Sequence, residues 1–225
     1  MRALALAAGL CIAATPQLPN SIPAADASKH VGQQQIVCGP VAGVRREDAA
    51  TLFDLVQAHP NQAVTVSVAR GVAAQFPKDF ESRTLDVCAT GVIQTSHVIQ
   101  IDEAKNIRGF HRVAAGAAKP DLAGIVPPRV TREGRPRYTN EAMRAGIQGT
   151  VEIEMEIGTN GEPGKLRFVK SLDALFGLDD EAMRVAGQWR FEPARREGFP
   201  IPFTAVIQLE FRLDPHRTTP VRPVR

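Results

Sequence analysis

The sequence predicts two small units in tandem, an all-β barrel or sandwich followed by an α+β unit, and three observations predict it. Five short β-like runs separated by turn residues fill positions 34–108. The composition then shifts to Ala, Gly and Pro between Gly109 and Pro128. From 129 to 213, period-two strands flank an apolar stripe at helical spacing. A chain of 225 residues is long enough for each unit to bury its own core. With 44% hydrophobic and 23% charged residues, it is neither a disordered chain nor a polytopic membrane protein.

The N-terminus reads as an export signal over residues 1–27. Met1-Arg2 precedes an apolar run from Ala3 to Ala14, and a polar stretch ends in the small-residue triplet Ala25-Asp26-Ala27. Cleavage after Ala27 and a periplasmic location follow. A spanning helix needs about 20 apolar residues, and this run breaks at Thr15-Pro16. An uncleaved inner-membrane anchor is the alternative. Once the signal is removed, Cys38 and Cys88 are the cysteines that remain. An even count in an oxidising compartment suggests one disulfide, with two buried thiols as the other reading.

The five β-like runs read as Gln35 to Arg45, Thr51 to Val56, Ala63 to Val72, Thr84 to Gln94 and His97 to Ile101. In the third, Val64, Val66 and Val68 alternate with Thr65, Ser67 and Ala69, which gives the strand one apolar face. Gly39, Gly43 and Gly91 stand where glycine marks a bulge or a sharp bend. The stretch 109–128 reads as a linker that lets the units move independently. The Pro-rich basic tail 214–225 reads as disordered.

In the second unit, Glu141 to Ala145 form a short helix stopped by Gly146. A strand follows in which Val151, Ile153, Met155 and Ile157 point inward while Glu152, Glu154 and Glu156 face water. Thr159-Asn160-Gly161 turns the chain into a second strand, Lys165 to Lys170. Leu178, Ala182, Val185, Ala186 and Trp189 form one helical stripe, with Asp179 or Asp180 at the positive end of the helix dipole. A final strand alternates Ala205, Ile207, Leu209, Phe211 and Leu213 with polar or exposed residues. The three glutamates do not make a metal or acid–base site: same-face residues lie about 7 Å apart along a strand, and no His or Asp is nearby in sequence.

The net charge of +3 does not mark a nucleic-acid protein. Seven Lys/Arg face eight Asp/Glu between Gln34 and Arg108, and thirteen of each stand between Arg129 and Leu213. Neither unit carries the cation cluster that phosphate binding requires. The aromatic residues of the first unit, Phe53, Phe76 and Phe80, read as core anchors and not as base-stacking platforms. There is no nucleophile–base pair, phosphate loop or metal-ligand spacing, and His59 and His97 read as surface residues. No enzyme, cofactor or metal is expected.

Two resemblances add to this reading. "VCGPVAGV", "TLFDLVQAHPNQAVTVSV" and "LDVCATGVIQTSHVIQIDEAKNIR" make residues 34–108 similar to an OB-fold, which implies a closed five-stranded barrel whose ligand is unassigned. From about 127 to 213, "GIQGTVEIEMEI", the turn at Gly161, "LDDEAM", "WRFEPA", Gly198 and "TAVIQLEFRL" run in the order of the TonB C-terminal domain. Thr139 stands where that family commonly has Pro. The resemblance implies a three-stranded antiparallel sheet packed on helices. It also implies that the last strand is an edge which captures an extended partner peptide, with Thr204, Val206, Gln208, Glu210 and Arg212 as contacts. The partner is then the N-terminal box of an outer-membrane receptor or another envelope protein; the oligomeric state is open. A soluble periplasmic adaptor is the first functional reading. A TonB-type energy transducer, with a misplaced start or an uncleaved anchor, is the alternative.

Overall fold

A computed structural model describes residues 18–113 and 123–213. The first unit holds seven strands: β1 (Ser21–Pro23), β2 (Gln34–Arg46), β3 (Ala50–Leu55), β4 (Val64–Ala69), β5 (Leu85–Val92), β6 (Val98–Ile101) and β7 (Ile107–His111). A single helical turn, α1 (Arg70–Ala73), follows β4. The hydrogen-bonded order is β6-β4-β3-β2-β5-β7, with β1 parallel to the first part of β2.

β2 explains the curl. Its first half pairs with β1 and β5, and its second half pairs with β3 beyond a bulge between Val41 and Gly43. Gly39 sits at the bend, where a Cβ would lie 2.7 Å from the Ala24 side chain and any larger residue would force the two apart. Gly91 admits Ile99 in the same way, at 2.7 Å.

The expected closed five-stranded barrel is therefore corrected to a curled, open seven-stranded sheet. The first unit extends past the expected limit at Arg108: Ile107, Gly109 and Phe110 are buried and β7 lies along β5. Ser21–Ala27 fall within the expected signal. Those residues form β1 and part of a 3-10 segment, Ala24–His30, whose Ala24 and Ala27 lie in the core. Cleavage after Ala27 would strip that packing from the sheet. Residues 1–17, the middle of the expected linker and the tail 214–225 lie outside the described residues.

The second unit comprises β8 (Ile125–Val126), β9 (Arg129–Arg132), α2 (Asn140–Arg144), β10 (Gly149–Ile157), β11 (Pro163–Lys170), α3 (Leu178–Ala186), β12 (Arg190–Glu192), β13 (Ala194–Arg196), β14 (Phe199–Ile201) and β15 (Phe203–Phe211). Its main sheet is antiparallel in the order β11-β10-β15, as expected. Two small sheets, β12-β9 and β14-β13-β8, flank it. Thr139 caps α2 by accepting a hydrogen bond from the Ala142 amide at 3.2 Å, so the residue that departs from the family pattern starts the helix by a different device. Trp189 lies just past α3 as a core plug, its indole N–H donating to the Gly134 carbonyl at 3.2 Å. No helix among the described residues is long and apolar enough to cross a membrane.

The two units share one continuous apolar core. The loop before α3 enters the first unit: the Ala174 amide donates to the Gly109 carbonyl at 2.7 Å, and Phe176 meets the Phe76 ring edge-on at 5.5 Å. Phe53, Phe76 and Phe80 pack on one another beneath it, as core anchors. The stretch expected as a linker from Gly109 thus begins as strand and docking surface.

Candidate functional site

β10 occupies the centre of the C-terminal sheet, and β15 pairs with it on one side only. Among the described residues nothing pairs with the outer side of β15, which leaves a row of backbone donors and acceptors open to an added strand. The alternation predicted for this strand is observed. Ile207, Leu209 and Phe211 are buried, while Thr204, Val206, Gln208 and Glu210 are exposed. Arg212 lies just past the strand end and ion-pairs with Glu210 at 2.5 Å. All five residues expected from the sequence therefore sit at one edge.

Register places a β10 side chain behind each exposed residue: Glu156 opposite Thr204, Glu154 opposite Val206 and Glu152 opposite Gln208. The expectation that all three glutamates face water needs correction at the middle one. Glu154 is only 8% exposed because Arg167 of β11 covers it and grips both carboxylate oxygens. That guanidinium holds the Glu154 carboxyl below its usual range by hydrogen bonding first and by charge second. Glu156 is exposed and forms no ion pair among the described residues. Beside it, Pro202, Phe203 and Thr204 line a cleft of about 230 Å³.

The structure joins the two candidate cysteines. Cys38 of β2 and Cys88 of β5 are direct cross-strand neighbours with an S–S distance of 2.00 Å. This is the disulfide option of the two left open by the sequence.

A buried polar cluster at the junction of the units escaped sequence reading. Asp179 was expected at the helix dipole, but it turns inward: it accepts from the Leu172 and Asp173 amides at 3.0 and 3.1 Å and from the Ser171 hydroxyl. Asp173 accepts in turn from the Leu175, Phe176 and Leu178 amides, so two carboxylates hold the inserted loop in shape. Burial pushes Asp173 up to about 7, aided by the charge of Asp179, and burial raises Asp179 as well. Burial also lowers the His111 imidazole, which stacks on Phe168 at 4.7 Å. Asp180 points outward and binds Arg83 of the first unit at 2.9 Å. The sequence carried one signal for this loop, the apolar triplet Ala174-Leu175-Phe176 between two aspartates, which a solvent-facing loop would not need.

Residues 134–213 match the family described as the Gram-negative bacterial TonB protein C-terminal. Protein TonB of Vibrio cholerae serotype O1 is 31% identical over 88 residues, which cover 39% of this chain and 36% of that protein. Protein tonB2 of Pseudomonas aeruginosa is 29% identical over 79 residues, covering 35% of this chain and 29% of that protein. The chain thus spans about a third of the length of these relatives. Among solved structures, the solution structure of the Pseudomonas aeruginosa TonB C-terminal domain is 24% identical, with a TM-score of 0.34 over 40% of this chain and 90% of that one. An OBody bound to hen egg-white lysozyme is 18% identical, with a TM-score of 0.27 over 40% of this chain and 94% of that one. At these scores neither likeness bears on the fold. The family match and the ordered sequence motifs agree on one assignment: residues 134–213 are a C-terminal domain of the TonB family.

Proposed function

We propose that this chain works in TonB-type transport across the cell envelope, its C-terminal domain taking an extended segment of an outer-membrane receptor along the free edge of β15. The observation that carries this reading is an unpaired edge strand in a domain that matches the TonB C-terminal family. An added strand gains backbone hydrogen bonds along Phe203–Phe211, and alternate side chains select its sequence. The relatives that match are themselves named TonB, which favours the energy-transducer reading over a free-standing adaptor. The receptor segment and the periplasmic setting come from the family resemblance.

The test uses strand geometry. Consecutive N–H groups of a strand point to opposite edges, so of Ala205→Pro and Val206→Pro, one removes a bond to β10 and the other an outward-facing donor. Trp189 fluorescence identifies the variant that folds. That folded variant is expected to lose capture of receptor N-terminal peptides, measured by titration calorimetry. Undiminished capture by a folded variant places the binding surface elsewhere.

A further inference from the structure

The face beside the β15 edge is not chemically uniform. At Val206, the strand presents a side chain that is 50% exposed, and the carboxylate behind it, Glu154, is already neutralised by Arg167. Two residues away, at Thr204, the side chain is small and the carboxylate behind it, Glu156, forms no ion pair among the described residues. The cleft of about 230 Å³ bounded by Glu156, Pro202, Phe203 and Thr204 opens at that point. At the far end, Glu210 carries its own cation, Arg212. One apolar position and one uncompensated carboxylate therefore stand side by side along the edge.

Resting on the strand-addition reading above, we propose that β15 selects an extended segment with Lys or Arg facing Thr204 and an aliphatic residue two positions away facing Val206. Neighbouring strands lie about 4.8 Å apart, so the Cβ of an added residue opposite Thr204 lies about 10 Å from that of Glu156. Only Lys or Arg spans that distance, running its methylenes over Thr204 and along the cleft to place its charge on the Glu156 carboxylate. An aliphatic residue opposite Val206 forms a cross-strand apolar pair and removes Val206 from water. Acidic residues are disfavoured opposite Thr204 because Glu156 would repel them.

Peptides of ten residues, rich in Thr and Val, with one Lys moved along the sequence and a matched series carrying Glu, supply the probe. Binding to the full chain is read by titration calorimetry, and the contacted strand by amide shifts. Lys two residues from a Val, in the register opposite Thr204, is expected to bind about 2- to 5-fold tighter than Lys elsewhere, the scale of an exposed ion pair. Glu156→Gln should abolish that preference, Glu156→Lys should transfer it to the Glu series, and Glu152→Gln should leave it intact. A register preference that survives Glu156→Gln, or none at all while the β15 amides still shift, overturns this specificity and leaves strand addition standing. Peptides that bind without shifting the β15 amides, or do not bind at all, overturn both.

Discussion

Strands β4 and β15 carry the same period-two pattern and use it in opposite ways. In β15 the alternate positions Thr204, Val206, Gln208 and Glu210 face water beside an open edge. In β4 the alternate positions Thr65 and Ser67 are buried, as are Val64, Val66 and Val68. The reason is a polar layer inside the first unit: Thr65 donates to Asp54 at 3.1 Å, and Arg45 meets the same carboxylate at 2.9 and 3.0 Å. β4 is covered on both faces and its sheet is stapled by a disulfide, whereas the second sheet exposes one face and leaves both outer strands, β11 and β15, without a further partner among the described residues. The first unit is built to hold its shape; the second keeps a surface available for pairing.

The sharpest way to break that contrast is to remove the staple. Cys38 and Cys88 are 50 residues apart, and in the chain-entropy account a loop of that length is worth about 4 kcal/mol. Cys38→Ser with Cys88→Ser is expected to destabilise the first unit by about that amount in urea unfolding. Trp189, the only tryptophan, reports on the second unit. Because the core is continuous, its transition is expected to move with that of the first unit. A Trp189 midpoint that stays in place while the β-sheet signal shifts means that the units unfold independently.

A smaller perturbation goes to the junction itself. At Gly109 a Cβ would lie 2.5 Å from Leu175 Cγ, well inside contact distance. Gly109→Val is expected to force the inserted loop outward at a cost of about 1–3 kcal/mol, the range for overpacking. Gly71→Ala, where the site is open, serves as the control. Amide exchange of residues 171–178 should accelerate in the first variant and not in the second. Unchanged protection in Gly109→Val means that the contact does not hold the units together.

The second unit was the more legible because its sheet is one-sided. Buried and exposed residues alternate along β15 and, Glu154 apart, the apolar residues of β10 are more buried than those between them, so the period names the face, and the edge follows from the order of the strands. Gly146 and Gly161, both at positive φ, ended the helix and turned the hairpin where the sequence indicated. In the first unit, period two located β4 and its apolar face but left the burial of Thr65 and Ser67 unread, since that depends on Asp54 and Arg45 of neighbouring strands. β1 and β7 were missed because their pairing is decided by partners distant in sequence, Ile36–Cys38 for β1 and Leu85–Ala89 for β7. The five edge residues were legible as a set, but the neutralisation of Glu154 by Arg167 required the register of β10 against β11.

The carboxylates of the two units make the finest comparison, since they respond to pH with opposite sign. Burial alone would raise Asp54, but the Arg45 hydrogen bonds and charge, with Thr65, hold it below its ordinary value. Its contribution is therefore present above about pH 4 and is lost only as the pH falls below that. Asp173 has no such partner: its carboxyl accepts only backbone amides, and the Arg108 guanidinium acts on it through charge alone, without a hydrogen bond. With its pKa raised to about 7, the folded state binds the Asp173 proton more tightly than the unfolded chain does. Stability from this group is complete below about pH 4 and falls away as the pH rises toward 7, by about 1 kcal/mol per pH unit. His111 acts in the opposite sense, since its lowered pKa favours the neutral ring in the fold, so the Asp173 contribution is read as a difference from Asp173→Asn. Protection factors of residues 171–178 are expected to fall between pH 5 and 6 by about 1 kcal/mol more in the native chain than in Asp173→Asn, while those of β3 stay level in both. Parallel pH profiles for the two chains mean that Asp173 is ionised throughout and that its three amide donors, and not burial, set its charge.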